Sequence, residues 1–420
     1  MGVLQNEFDR VIKELCSADS LKVMLLRRVA DARNLELSDE QIEALAKAIG
    51  ADSASDTARV EIKGLPEEIV ITSDDLESAL KKLEVDMESH AERGILSALD
   101  ALPPGILQSL YAHLPEALRR RRGNEAAFRE RLCARWKEGL DRLEMLIMIA
   151  QESGSNYIED ANKEPTEESV PSDDEASMLE ALIGLHVRAC RTASEVLCLL
   201  QGGFADGANA RWRSLHEVAV TAMFLLEHPG DTVRRYLDHA AVERLRSAVK
   251  YQEHCHTLGY EPFTEEELAE LRGDAEVVVQ KYGKALKEDY GWAGEILGVA
   301  RPSFAQVEAR LKMSHWRPFY KMACQSVHAG SQALQFCMSI PKGADQMLVA
   351  GASNAGLVDP GHSAANSLTM ASVALFTFRP NLDSLIVCKC MQQLCDDIGD
   401  AFMVAHEQLE DEIESSTSIQ

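Results

Sequence analysis

The chain has 420 residues, 46% of them hydrophobic and 26% charged, with a formal charge of −25 and a pI of about 4.9. That length allows two or three domains with a sizeable core. So acidic a chain excludes a uniformly basic duplex-binding surface, because broad attachment to nucleic acid needs cations that neutralise phosphates; only a local basic patch could serve.

The start, Met1 to Glu7, lacks a basic segment followed by an apolar run, and Asn6 stands where a myristoylation signal has Ser or Thr. No apolar run reaches the length of about 18 residues that a membrane span requires. The expectation is a cytoplasmic protein with no membrane partner. The ten cysteines (16, 133, 190, 198, 255, 324, 337, 388, 390 and 395) are scattered through helical patterns, as reduced core thiols would be.

Residues 1–151 read as a helical N-terminal region. Phe8, Val11, Ile12 and Leu15 form a stripe at helical spacing. Ser38-Asp-Glu-Gln41 has the form of a capping box and opens a helix bearing Ile42, Leu45, Ala46 and Ile49. Val60 to Gly64 and Glu68 to Thr72 alternate β-branched residues and are candidate short strands, with 51–57 a loop. Ser73-Asp-Asp-Leu76 starts another helix, Pro103-Pro104-Gly105 predicts a break, and a long helix follows over about 125–150.

Residues 152–176 are acidic, polar and contain Pro165 and Pro171. Few apolar groups offset the entropy of ordering them, which predicts a flexible linker. Residues 177–405 then form a second helical unit, a bundle, followed by an acidic tail at 406–420. Within the bundle, Gly202-Gly203 ends a first helix. Asp206 is a candidate N-cap for the next. A helix spans about 231–256, Thr264-Glu-Glu-Glu267 restarts one through about Leu286, and 289–303 is irregular. A helix from about Pro318 carries Tyr320, Ser326 and His328. Residues 341–362 form a loop, and two apolar helices cover about 362–378 and 380–412, split at Arg379-Pro380. The fold class expected is all-α, an N-terminal helical region joined by an acidic linker to a C-terminal helical bundle.

The helix at about 208–227 is apolar nearly all round, the pattern of a buried helix. Yet it carries Arg213 and Glu217 one turn apart. An exposed pair of this kind contributes only a few tenths of a kcal/mol, whereas burying it costs several unless both charges are paired and hydrogen-bonded. The pair is therefore either a structural network or half of a polar site. Ser326-Val-His328, with Tyr320 upstream, is the candidate other half, and Asp289-Tyr-Gly-Trp292 a candidate rim. A lone histidine there also reads as an ordinary hydrogen-bonded residue.

Together these pieces resemble the bacterial family called domain of unknown function 5677 over about residues 180–335. The matching features are the Gly203 to Ala210 lead-in, Arg213-Ser-Leu-His-Glu217, Tyr290-Gly-Trp292, and the Tyr320 to His328 segment. The family name carries no activity, so the resemblance implies where a site lies more than what it does. The chain is more loosely similar to the helical HEPN group, often ribonucleases of toxin and phage-defence systems, whose motif is Arg and, four to six residues later, His on one helix. Arg211…His216, Arg234…His239 and Arg310…His315 have this spacing. Only the first falls inside the polar constellation, and Trp212 follows its Arg where the group usually has a polar residue.

That resemblance implies a metal-independent ribonuclease in a cytoplasmic effector or toxin-like protein of a phage-defence or stress system. His328 or His216 would be base or acid, and Arg213 or Arg211 would clamp the phosphate. Glu217 would orient its neighbour, with Ser326, Tyr320 and Trp292 contacting substrate. The alternative is a non-catalytic interaction or ligand-sensing module. RNA, a protein partner and a second copy of the chain are the candidate partners.

No metal or cofactor is expected. His254-Cys-His256 lacks a second cluster, and Cys388-Lys-Cys390 with Cys395 points to different sides of a helix. Phosphate loops and nucleophile-elbow motifs are absent. Arg119 to Arg122, with Arg129, Arg131 and Arg135, is the strongest basic cluster, open to a nucleic acid, an acidic partner, the chain's own acidic linker or solvent.

Overall fold

A computed structural model describes residues 18–33, 35–48, 73–161, 172–335, 337–340 and 349–417, with isolated residues before them. Among these the regular structure is entirely helical, as an all-α fold requires. The candidate strands at 60–64 and 68–72, the loop at 51–57 and most of the Phe8 to Leu15 stripe lie outside the described residues.

The chain divides into two compact units, residues 1–127 and 128–420. In the first, α1 (Ala18–Ala32) and α2 (Asp39–Ala48) pack through Leu26, Ile42, Leu45 and Ala46. The capping box at the head of α2 forms: Gln41 N donates to Ser38 Oγ at 3.3 Å and Ser38 N to Gln41 Oε1 at 2.9 Å. Helix α3 (Ser73–Arg135) runs through Pro103, Pro104 and Pro115, where the sequence predicts a break. These prolines sit on exposed helix, where water can satisfy the carbonyls that each proline leaves unbonded.

The second unit is built from α4 (Lys137–Ala161), α5 (Asp173–Gln201), α6 (Ala205–Glu227), α7 (Asp231–Leu258), α8 (Glu265–Tyr282), the short α9 (Gly294–Leu297) and α10 (Phe304–Arg310), α11 (Arg317–Gln325), α12 (Val358–Phe376) and α13 (Leu382–Thr417). The acidic stretch 152–176 lies inside this unit. Its first part continues α4 to Ala161, where Gly154 is buried and Tyr157 and Ile158 half-buried. Its last part is the head of α5, capped by a Ser172–Glu175 box. Only 162–171 lies outside the described residues. The flexible-linker reading therefore does not extend to the two ends, which apolar packing and a cap hold helical.

Helix α12 is the hub, packing against α4, α5, α6 and α13. Its buried face is mostly small, with Gly361, Ser363, Ala364, Ala365, Ser367, Ala371, Ser372 and Ala374 beside the larger Leu368, Leu375 and Phe376. Small side chains let neighbouring helices supply the bulk, and interiors must be filled to high density. Thus Phe402 of α13 lies where a Cβ on Gly361 would come within 2.6 Å of its ring. Trp212 of α6 is fully buried and donates to Ser367 Oγ at 3.0 Å.

Asp206 is not the N-cap of α6. The helix starts at Ala205 after Phe204, and the Asp206 carboxylate instead accepts from Met338 N (2.9 Å), Ser339 N (3.2 Å) and Ser339 Oγ (2.7 Å). One acidic side chain near the helix start thereby pins the distant segment 337–340, satisfying backbone donors that no helix serves.

Candidate functional site

Arg213 and Glu217 project from α6 and meet as an ion pair at 3.1 Å, with side chains 27% and 31% exposed. The pair is thus half-buried, neither sealed in the core nor free in solvent. Its third member comes from α11. The Tyr320 hydroxyl donates to Glu217 Oε1, and the Arg213 guanidinium lies over the Tyr320 ring, 5.0 Å from its centre. Burial would lower the Arg213 pKa, but Tyr320 and Glu217 outweigh it and hold the pKa above its ordinary value. Burial raises the Tyr320 pKa, and the bond to Glu217 raises it further, so the phenol stays protonated.

A second layer supports this one. Glu308 of α10 is completely buried. Its Oε1 lies 3.0 Å from His216 Nε2 and its Oε2 accepts from Arg317 Nη1 at 2.5 Å. His216 is itself fully buried, ringed by Trp212, Phe304, Trp316 and Tyr320. Arg317, 29% exposed, stacks on Tyr320 with its guanidinium 4.8 Å from the ring centre. Two guanidiniums therefore share one phenol, one bound to Glu217 and the other to Glu308. The buried carboxylate meets the rule that an interior charge must be paired and hydrogen-bonded.

The sequence-selected residues do not all meet in one place. Arg213, Glu217 and Tyr320 converge. His216 lies one turn away on α6 but points into the core, where it touches Glu308 and no solvent. Arg211 turns to α5 instead, bonding Glu195 and, at 3.4 Å, Thr192 Oγ1. Arg211 and His216 share the HEPN-like spacing without sharing a partner. Ser326 and His328 are not on α11: the helix ends at Gln325, Ser326 caps it, and His328 follows on an exposed turn. Ser326 Oγ is buried with no hydrogen-bond partner among the described residues, as is Arg213 Nε. No contact joins His328 to Arg213 or Glu217 among the described residues.

Trp292 is buried against Phe224 and Tyr236, with ring centres 5.6 and 5.2 Å away, and forms part of the core. Its neighbour Tyr290 packs against Phe304, ring centres 5.9 Å apart, within electrostatic reach of the ion pair. Burial first, then the Glu217 charge, raise its pKa, against Arg213 and Arg317, which lower it. The remaining candidates stay apart. No group of three or more His, Cys, Asp or Glu side chains could hold a metal among the described residues. Arg119 to Arg122 are exposed on α3.

Residues 179–345 match the model of DUF5677, a family of unknown function. No curated protein and no solved structure matches the chain. The DUF5677 segment contains both layers, including Glu308 and Arg317, which the sequence alone does not single out. Glu308 sits in a short helix of mixed polarity, and Arg317 precedes a proline. Neither position carries a recognisable spacing. The aromatic run Trp316 to Tyr320 was the available signal, since aromatic faces are where guanidiniums stack.

Proposed function

We propose that the DUF5677 segment is a ligand-sensing module whose polar site is the Arg213–Glu217–Tyr320 cluster, with Tyr290 at its edge. The observation that carries this reading is the half-buried position of the cluster combined with the unpartnered, solvent-shielded Arg213 Nε. A buried polar atom without a partner is rare and costly, and a bound ligand is one way that such an atom is satisfied. A purely structural ion pair would gain by completing its bonds internally. No helix among the described residues is long and apolar enough to cross a membrane.

The test is native mass spectrometry of the full chain after incubation with a bacterial small-molecule extract. A bound species present on the wild type and lost from Arg213→Ala and Tyr320→Phe, with helical content unchanged, supports the reading. A spectrum free of any adduct that depends on these residues overturns it.

A second reading, a toxin-like ribonuclease effector of a phage-defence or stress system in the bacterial cytoplasm, is favoured by one observation. His328 is an exposed imidazole just beyond the helix that carries Tyr320. It would act as base or acid, with Arg213 holding a phosphate. His216, enclosed by aromatic rings, would position Glu308 and not touch RNA. Expression toxicity and RNA cleavage that vanish in His328→Ala would favour this reading, and activity unchanged in that variant would remove it.

A further inference from the structure

We propose that Arg213 and Arg317, stacked on the one ring of Tyr320, form a two-cation seat for the phosphate group of a small phosphorylated ligand. The inference rests on the ligand-sensing reading and names the chemistry that the site would take.

A guanidinium carries more N–H donors than a single carboxylate contact consumes. Arg213 spends Nη2 on Glu217, and Arg317 spends Nη1 on Glu308. Arg213 Nε is buried with no partner among the described residues. The single O–H of Tyr320 is spent on Glu217, whereas the Tyr290 phenol is held protonated by burial and is a donor. Among the described residues most of the acceptor oxygens are already engaged, with Glu217 Oε2 the exception. Glu217 Oε1 takes both Arg213 and Tyr320, and the two oxygens of Glu308 take His216 and Arg317. The site therefore has surplus donors, and its complement is an acceptor-rich group.

Charge then selects among acceptors. The negative charges of Glu217 and Glu308 are each tied to a guanidinium that remains 27% or 29% exposed. A carboxylate ligand could be satisfied by one guanidinium through a bidentate fork. Two guanidiniums on one aromatic ring suit a group with more oxygens and more charge, which a phosphate monoester supplies. Arginine is also the residue suited to this task, since it stacks on an aromatic face and keeps its in-plane donors for the anion.

The lower layer fixes the geometry. Arg317 is the first residue of α11 and would be free to swing in solvent. Its bond to Glu308, a carboxylate enclosed on the other side by His216, gives it a single anchored position. Glu308 is a positioning residue that acts through Arg317.

The experiment is isothermal titration of the full chain with inorganic phosphate, adenosine monophosphate, adenosine and acetate. Binding of phosphate and of the nucleotide, with neither adenosine nor acetate binding, is the expected pattern. Arg317→Gln and Arg213→Gln should each weaken nucleotide binding about tenfold or more, the loss of one charge-assisted contact. Arg211→Gln, a cation on the same helix that is paired with Glu195, should leave it unchanged and serves as the folded control. Glu308→Gln should weaken binding while still allowing Arg317 a neutral hydrogen bond. Binding of acetate as tightly as phosphate, or equal losses in Arg211→Gln, would overturn the seat. An extract adduct that depends on Tyr320 while phosphate and nucleotide fail to bind would overturn the phosphate assignment and leave the ligand-sensing reading standing.

Discussion

The Tyr320 hydroxyl donates to Glu217 across two helices, so a phenol from 317–325 closes an ion pair that 205–227 begins. This bond predicts a spectroscopic signature. Burial and Glu217 both push the Tyr320 pKa above the ordinary phenol value. Removing the carboxylate charge removes the second cause and leaves the first. The phenolate absorbance band of Glu217→Gln should therefore appear at lower pH than that of the wild type for two tyrosines, Tyr320 and Tyr290, with burial still holding both up. Superimposable ultraviolet titrations of the two proteins would show that Glu217 does not act on Tyr320.

Glu308 and His216 predict a non-additive pair. Glu308→Ala strips Arg317 of its partner and leaves His216 buried with neither ring nitrogen bonded, since Nδ1 is already unpartnered among the described residues. Removing one partner from a buried pair costs about 3–5 kcal/mol. The double variant His216→Leu/Glu308→Leu removes both polar groups and keeps apolar volume, so it should cost less than Glu308→Ala alone. Urea unfolding of the single and double variants measures this. Additive losses would mean that the two side chains do not work as a unit.

How much of this was legible in the sequence depends on the kind of signal. The capping box at Ser38 could be read directly, because the motif and the hydrogen bonds that it makes are local. The same motif stands at Ser172–Glu175, but acidic composition around it suggested a linker and masked it. Composition reports average burial, whereas a cap acts on single backbone groups. An ion pair on an apolar helix demands a partner, and this made the Arg213–Glu217 pair legible, but its partner was sought in Ser326-Val-His328, whereas the hydroxyl that closes the pair belongs to Tyr320 upstream. Glu308 was not legible, since nothing in its own helix shows that α10 lies against His216. Asp206 was misplaced for a related reason: its position fits an N-cap, but the donors at Met338 and Ser339, far along the chain, compete for the carboxylate and win.

His186 predicts acid sensitivity. It is buried in α5, with Nε2 3.2 Å from Ser372 Oγ and its ring against Phe376, and burial lowers its pKa to about 4 from 6.5. Above about pH 6.5 the imidazole is neutral in both folded and unfolded chains and contributes no pH dependence. Between 6.5 and 4 the unfolded chain takes up a proton that the folded chain refuses, so stability falls as pH falls, by roughly 3 kcal/mol over the window. His186→Gln should flatten that slope between pH 6.5 and 5, above the range where most carboxylates titrate. An unchanged slope in denaturant melts would assign the acid sensitivity elsewhere.

Gly203 and Gly207, four residues apart, predict opposite outcomes on substitution by alanine. Gly203 has φ +78°, in the left-handed region that costs a non-glycine residue about 1 kcal/mol or more. A Cβ there would also stand 2.7 Å from the Ser353 carbonyl oxygen and 2.9 Å from the Phe128 ring. The oxygen belongs to backbone that is fixed in place, because Ser353 N donates to Gly203 O at 2.9 Å. Neither side can retreat without losing that bond, so Gly203→Ala should cost roughly 2 kcal/mol or more once clash is added to strain. Gly207 lies within α6, where its Cβ would meet Leu199 no closer than 3.6 Å, an ordinary contact. Alanine there gains helix propensity of up to about 1 kcal/mol and should raise the melting temperature. A Gly203→Ala protein as stable as the wild type would mean that the 203–353 junction is not held as described.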